Sequence, residues 1–400
     1  MGQRQKNSTK LAAPIFMLVV LWLVGWTLRI HILAAPPLAT RISESFGLGE
    51  AAEGALTMLP ILAVAFGAIP AAWFIARFGL RASIVVGLVV MTLASIARGQ
   101  VPSVALLFIA SAIMGLGVAV FQTALPAATR VWTPTHVALG SAVYLNGMMF
   151  GELSGAGLTL PIVMPLAGGE WQTALILWGI PTLLVAFLVG LMRIPKNPSE
   201  EGDDIPGLSQ SGSLPRWDDL RMWQYGMLLA SSAVAFFVVN AYSGSILEAR
   251  GEYDIAELFH FGYNATPLLA SFVILMAPRW VGQRNPIAIS AIITILGLAG
   301  FYLFEGWISW TSAMIAGFAA TIELILIVSL PPAISKGIAV TRLSAGMTLT
   351  GFTVAFLLTL LGGWAADTIG RVEIALVPSL IFMVLALAAL GRAKKYPSYS

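Results

Sequence analysis

The chain has 400 residues, of which 58% are hydrophobic and 10% are charged, and its net charge is +3. A soluble globular protein of this length does not carry so few charges, so composition excludes that class and indicates an integral membrane protein. The small positive charge does not indicate nucleic-acid binding, because the cations cluster at the ends of apolar segments. Cysteine is absent, which excludes disulfides, thiolate metal sites and thiol catalysis.

Twelve apolar segments follow one another along the chain, and each is long enough to cross a bilayer core of ~30 Å as an α-helix. They lie at 11–35, 52–76, 82–100, 104–127, 137–163, 172–192, 221–247, 257–277, 286–304, 308–332, 340–363 and 372–391. We number them segments 1 to 12 and predict an all-α membrane protein with twelve transmembrane helices. An even number of crossings places both ends of the chain on one side.

The basic residues are distributed unequally between the two sides of the predicted membrane. With the N-terminus inside, the cytoplasmic parts hold seventeen Lys and Arg residues and the opposite side holds four, namely Arg41, Arg98, Arg250 and Arg371. The positive-inside rule therefore predicts that both termini are cytoplasmic. Segment 1 is too long for a cleavable signal peptide and lacks a small-residue cleavage site. Short loops favour a bacterial inner membrane.

The longest polar stretch lies in the middle of the chain and separates six segments from six. It is rich in Pro, Gly and Ser and carries an acidic cluster, as is typical of a linker. We predict an N-terminal six-helix bundle at 1–192, a cytoplasmic linker at 193–220 and a C-terminal six-helix bundle at 221–400.

The two halves also repeat in sequence. The run SAIMGLGVAVFQTALP from Ser111 in segment 4 parallels SAMIAGFAATIELILIVSLP from Ser312 in segment 10. Three further pairs of short runs match in the same order, mostly at offsets of about 201–205 residues. Such order is typical of transporters built from two related halves, and it pairs Gln122 with Glu323.

Two six-helix halves joined by a cytoplasmic loop resemble the major facilitator superfamily, and this resemblance covers the whole chain. The best-known signature of that family, Gly-x-x-x-Asp-Arg-x-Gly-Arg, follows its second helix. At this place the chain has AAWFIARFGLR, which keeps Arg77, Gly79 and Arg81. Ala72 and Ala76 stand where the usual Gly and Asp are found.

Other segments resemble the cyanate and 2-nitroimidazole porter branch of the family. The run TLRIHILAAPPLATRISESFGL resembles its Asn-Leu-Arg-Pro start, with Arg29 on the arginine, and Arg98 ends segment 3 where the branch has an arginine. GLGVAVFQTALPAATR resembles its Gly-x-Gly-x-Ala-x-x-Asn-x-x-Leu-Pro run. The chain departs from the branch at Thr27, Ile30 and Gln122, which replace Asn, Pro and Asn.

Three full charges, Arg29, Glu152 and Glu323, lie well inside the predicted spans. A charge at mid-bilayer costs roughly 2.5–3.5 kcal/mol, so each is a hypothesis for a functional site. The planar guanidinium of Arg29 suits a planar or anionic solute, although an ion pair that locks segment 1 to a neighbour is the alternative. Glu152 lies among glycines that predict close helix packing, and its depth places it within reach of Arg29. That pair is either a structural ion pair or a proton switch.

The family resemblance implies that segments 1, 4, 7 and 10 line a central cavity. The candidate substrate-binding residues are then Arg29, Gln122, Asn240, Tyr242, Ser243 and Glu323. Asn240 and Ser243 share a helix face, while Tyr242 points elsewhere, and hydrogen bonding between helices is the alternative role for Asn240 and Tyr242. Glu323 has no evident cation in its own half, so we predict that it carries protons, and Glu152 is the other candidate for proton coupling.

Four arginines after segments 2 and 8 are the predicted cytoplasmic gate: Arg77, Arg81, Arg279 and Arg284. His31 lies about 200° around segment 1 from Arg29, and we expect it to be packed and hydrogen-bonded rather than linked to protons.

The sequence therefore predicts a secondary transporter that moves a small polar or anionic solute by alternating access, coupled to protons. A proton-coupled exporter of organic bases or drugs is one alternative, and a membrane signalling or assembly protein without transport is another. Its partners are the solute, protons and membrane lipid, but not nucleic acid, and we expect a monomer. The sequence contains no Walker loop, no metal-ligand cluster and no nucleophilic triad, so we predict no enzyme activity, cofactor or metal.

Overall fold

The computed structural model describes residues 2–134, 137–192, 217–331 and 338–392, and these residues contain helices but no strand. A helix occupies each of the twelve predicted positions. The first six are α1 Gly2–Leu33, α2 Glu50–Phe78, α3 Leu80–Arg98, α4 Val104–Trp132, α5 Val137–Glu152 and α6 Gly179–Leu191. The second six are α7 Leu220–Ala249, α8 Ala256–Met276, α9 Arg284–Leu303, α10 Gly306–Val328, α11 Ile338–Ile369 and α12 Val377–Arg392. The all-α prediction is confirmed.

Length and composition agree with a membrane location. Within the described residues, nine helices are long and apolar enough to cross a bilayer, and a bent pair in the α5 region makes a tenth. The two other predicted positions are the eighth and the twelfth. The eighth holds α8, with 21 residues, and the twelfth holds a shorter apolar helical stretch at Val372–Ala388, which overlaps α12.

Segment 5 differs from the single straight helix that the sequence predicts. After Glu152 the chain continues as π-helix over Leu153–Gly157 and Thr159–Val163, and the two parts of this span are bent by 56°. Pro161 lies in the second stretch and has no backbone N–H to donate. Single π-helical turns inside helices are frequent at functional sites.

Small residues set the packing between α1 and α5. A methyl group added at Gly147, Gly151 or Gly155 would collide with backbone carbonyl oxygens of α1 at Trp22, Trp26 and Ile30. The two backbones are therefore in direct contact, as the glycines around Glu152 predict. This contact fixes the distance between the side chains that α1 and α5 turn toward each other.

Consecutive helices are antiparallel, so their connections alternate between two faces of the protein. We call the face that carries Met192 and Trp217 the linker face, and the face that carries Gly47, Gly99 and Gly169 the far face. Most of the predicted linker, at 193–216, lies outside the described residues. The linker and the bundle boundaries therefore stay predictions.

Candidate substrate site

Arg29 and Glu152 lie together between α1 and the end of α5. Arg29 Nε is 3.4 Å from Glu152 Oε1, and each residue is only 8% exposed. Arg29 Nε and Nη1 have no hydrogen-bond partner in the part of the chain that the structure describes. The guanidinium is thus held by a carboxylate while two of its nitrogens keep unsatisfied donors.

The π-helical stretch after Glu152 is anchored to α1 by a side-chain hydrogen bond. Trp26 Nε1 donates to Ser154 Oγ at 3.0 Å, and Ser154 Oγ donates to Phe150 O at 2.7 Å. Glu152 is the last residue before the helix changes its hydrogen-bonding pattern. Its orientation toward Arg29 therefore depends on both the glycine contact and this break.

Glu323 is fully buried in α10. Its Oε1 accepts a hydrogen bond from Ser231 Oγ of α7 at 2.7 Å, while its Oε2 has no partner among the residues that the structure describes. No described cation forms an ion pair with it. Gln122 of α4, its counterpart in the repeat, is partly buried and its Oε1 also lacks a partner among the described residues.

The predicted cluster on α7 divides in the structure. Asn240 and Ser243 are both fully buried and share a face, whereas Tyr242 turns toward α11 and donates its hydroxyl to Thr359 O at 2.7 Å. Asn240 Oδ1 instead accepts from Asn264 Nδ2 of α8 at 2.9 Å. The structure therefore joins Asn240 to α8 and separates Tyr242 from Asn240 and Ser243.

Sequence reasoning missed two polar residues of α8, His260 and Asn264. Both are buried, and atoms of both, His260 Nδ1 and Asn264 Oδ1, lack hydrogen-bond partners in the described chain. The signal was available, because an i, i+4 pair of polar residues in an apolar segment shares one helix face.

Arg98, which the sequence places at the end of segment 3, lies at the far-face end of α3. Arg98 ends α3 but is fully buried, and its Nη1 donates to His31 O at 3.0 Å. His31 lies in the last turn of α1, where backbone carbonyls have no helical partner and favour a cation. The His31 ring is itself hydrogen-bonded, with Nδ1 at 2.7 Å from Ser95 Oγ and Nε2 at 2.9 Å from Thr182 Oγ1.

On the linker face, Arg81 contacts a helix end of its own bundle. It donates to Val189 O at 3.3 Å and to Gly190 O, both at the C-terminus of α6. Arg77 and Arg279 are exposed, and Arg284 begins α9. A gating role for these arginines stays a prediction.

On the far face, the two bundles are joined by hydrogen bonds. Asp367 at the end of α11 accepts from the backbone N–H groups of Glu50 at 2.7 Å and Ala51 at 3.0 Å. Ser245 of α7 lies 3.4 Å from both carboxylate oxygens of Glu53 in α2. These contacts hold the start of α2 against the second bundle.

A sequence profile of the Major Facilitator Superfamily matches residues 15–330. The chain belongs to this family, and with its apolar helices it is a multi-pass membrane protein and a secondary transporter, not an enzyme. This family membership supports transport over the signalling or assembly alternative.

Two relatives agree with the predicted branch. The chain is 27% identical over 324 residues to the 2-nitroimidazole transporter of Escherichia coli (strain K12), covering 80% of this chain and 79% of that protein. It is 22% identical over 349 residues to the cyanate transport protein CynX of the same strain, covering 85% of this chain and 87% of the relative.

Solved structures show the same fold. A bacterial homologue of the human lysosomal transporter Spinster, in an inward-facing and unoccupied conformation, superposes with a TM-score of 0.74 at 16% identity. The match covers 94% of this chain and 96% of that structure. At this identity the likeness shows the fold alone.

Proposed function

We propose that the protein carries a small polar or anionic solute across a bacterial inner membrane by alternating access, coupled to protons. The observation that carries this proposal is the buried Arg29–Glu152 pair, whose guanidinium keeps unsatisfied donors. The two relatives named for 2-nitroimidazole and cyanate support it, since a nitro group and a cyanate ion are both small and electron-rich. The protein is expected to act as a monomer surrounded by lipid.

Recognition falls to Arg29 because a guanidinium presents its N–H groups in one plane. That geometry matches a nitro group or a small anion, to which charge-assisted hydrogen bonds are short and strong. Gln122, Asn240 and Ser243 are the proposed uncharged contacts. Tyr242 is proposed to support the site indirectly by holding α7 against α11, since its hydroxyl donates a hydrogen bond to Thr359 O.

Proton coupling is assigned to Glu152 and Glu323. A proton on Glu152 removes the charge that holds Arg29, so the guanidinium becomes free to bind the solute. Glu323 has no described cation beside it, so burial favours its protonated form until the cavity opens to water. Solute binding and proton binding are thereby linked, and so are the release of the solute and the release of the proton.

Alternating access requires that one face opens while the other closes. The Asp367 contacts to α2 are the proposed far-face gate, and Arg77, Arg81, Arg279 and Arg284 are the proposed gate on the linker face. With both termini cytoplasmic, the linker face is the cytoplasmic face and the far face is periplasmic.

A second candidate function is export of organic bases or drugs with protons. Glu323 favours it, because a buried carboxyl without a described cation could bind a cationic solute. A thermal-shift series with small anions, azoles, ureas and organic bases at two pH values separates the two candidates. Stabilisation by organic bases alone would support the exporter.

The recognition step is tested with Arg29→Lys. We expect this variant to fold and reach the membrane but to lose most binding of 2-nitroimidazole and cyanate, because an ammonium group does not reproduce the planar fork. Wild-type affinity for both solutes in the variant would contradict the assignment. The matched control is Arg41→Lys, because Arg41 is exposed on the far face.

A further inference from the structure

Asn264 holds an oriented acceptor that nothing in the described chain uses. Its Nδ2 donates to Asn240 Oδ1 at 2.9 Å and to His260 O at 3.0 Å, and both of these atoms are acceptors. Asn240 is oriented in turn, because its own Nδ2 donates to Phe236 O at 3.1 Å. Asn264 Oδ1 therefore points away from both contacts, and it has no partner although the residue is fully buried.

Such an arrangement is costly unless something binds there. A buried acceptor that is left without a donor has lost its hydrogen bonds to water and gained none in return. His260 Nδ1, four residues before Asn264, and Ser243 Oγ, three residues after Asn240, also have no hydrogen-bond partner among the described residues. A cluster of three unsatisfied polar atoms in two adjacent helices indicates a site for a polar ligand.

The cluster has a simple geometry on α7 and α8. These helices are antiparallel, and Asn240 faces Asn264. Ser243 follows Asn240 by three residues and His260 precedes Asn264 by four, so both lie about one turn nearer the far face. The four side chains thus lie at two levels along the helices, with Asn240 and Asn264 at one level and Ser243 and His260 about one turn nearer the far face.

Helix α8 meets the first bundle at the π-helical stretch that follows Glu152. Phe261 of α8 lies between His260 and Asn264, and a methyl group added at Gly157 would come within 2.9 Å of Phe261 Cα. Gly157 ends the π-helical stretch that starts directly after Glu152. The helix that carries His260 and Asn264 therefore contacts the stretch that starts directly after Glu152.

We propose that Asn264, with His260 and Ser243, forms a subsite that accepts an N–H or O–H donor of the solute. This deepens the proposed function and rests on it, because Arg29 holds the electron-rich end of the same solute. The ligand class is a small planar molecule with an electron-rich group at one end and an N–H group at the other, such as a nitroazole. An analogue without the N–H leaves Asn264 Oδ1 unpaired and binds more weakly.

The test compares two probes of similar size, 2-nitroimidazole, which has a ring N–H, and 2-nitrofuran, which has none. Affinities of the purified full-length protein are measured by calorimetry, with cyanate as a third probe that carries no N–H. We expect the wild type to prefer 2-nitroimidazole by about tenfold, the value of one neutral hydrogen bond. Asn264→Leu should abolish that preference and leave the affinities for 2-nitrofuran and cyanate unchanged.

Two further variants keep the test interpretable. Asn264→Ser retains a hydroxyl that can donate to His260 O, so it should fold even if the leucine variant does not, and it should lose the preference as well. Asn146→Leu is the matched control, because that amide oxygen already accepts from Trp22 Nε1 at 3.0 Å. It should keep the wild-type preference.

The proposal is overturned if the wild type shows no preference for the N–H probe, or if both Asn264 variants keep it. Loss of the preference in Asn146→Leu would overturn it as well. Failure of the underlying function is distinguishable, because Arg29→Lys would then leave the affinities for all three probes unchanged. Wild-type binding of cyanate without any N–H preference would refute the subsite alone.

Discussion

The carboxylate of Asp367, at the end of α11, caps the first turn of α2 in the other bundle. Its Oδ1 accepts from Glu50 N at 2.7 Å and its Oδ2 accepts from Ala51 N at 3.0 Å. The first N–H groups of a helix have no helical partner, and the positive end of the helix dipole favours a negative charge there. Opening the far face between α2 and α11 must break both hydrogen bonds.

Replacement of Asp367 by Ala should therefore favour opening of the far face. Loss of a helix N-cap costs about 1 kcal/mol, which corresponds to about a fivefold larger population of the open form. The chain has no native cysteine, so Thr57→Cys introduces a single thiol. Thr57 lies in α2 and is buried, so the rate at which a membrane-impermeant maleimide labels this thiol reports how often α2 becomes accessible. Labelling should accelerate in Asp367→Ala.

The control for this prediction is Asp254→Ala, which removes an exposed carboxylate near the same face. It should leave the labelling rate of Thr57→Cys unchanged. Equal rates in Asp367→Ala and the parent protein would show that the cap does not control far-face opening.

The Arg29–Glu152 pair should behave as a coupled unit in stability. Removal of one partner leaves an uncompensated buried charge, so we expect Arg29→Gln and Glu152→Gln each to destabilise the protein by about 3–5 kcal/mol. The double variant should be less destabilised than the sum of the two, by more than about 1 kcal/mol. Unfolding in detergent measures this cycle, and additive losses would indicate two independent residues.

The glycine contact between α1 and α5 should be required for the site. In Gly151→Ala the new methyl group would collide with Trp26 O, so α1 and α5 must separate and Arg29 must move from Glu152. We expect lower thermal stability and weaker binding of 2-nitroimidazole. Gly190→Ala is a helical control with nothing within 4 Å of the added methyl group, and alanine there should be neutral or slightly stabilising. Equal stability of the two variants would argue against the close contact.

The twelve helices could be predicted because bilayer thickness fixes the length of an apolar segment, and the sequence shows that length directly. The proximity of Arg29 and Glu152 also followed from depth alone. The π-helical break after Glu152 was not predicted, because π-helical turns are rare and the apolar run continues through them without interruption.

Other features depend on tertiary contacts that a sequence does not display. The sequence places Arg98 at the end of segment 3 but does not show its partner, because only the packing of α3 against the end of α1 brings it to His31 O. Asp367 contacts the start of α2 across the bundle interface, and no local sequence pattern specifies which residues of the two bundles meet there. Asn264 was missed because uncharged polar residues were considered only in segments 1, 4, 7 and 10, which the resemblance assigns to the cavity, although a buried amide is costly in any span.

Proton-coupled transport is tested most directly in proteoliposomes with 2-nitroimidazole and, in parallel, cyanate as solutes. Uptake driven only by a pH gradient, imposed with either sign, is compared with counterflow for wild type, Glu323→Gln and Glu152→Gln. The wild type should accumulate solute for one sign of the gradient. Glu323→Gln, which resembles the permanently protonated carboxyl, should retain counterflow but lose accumulation. Accumulation by Glu323→Gln would transfer the coupling role to Glu152, and accumulation by both variants, or none by the wild type, would contradict proton coupling through these carboxyls.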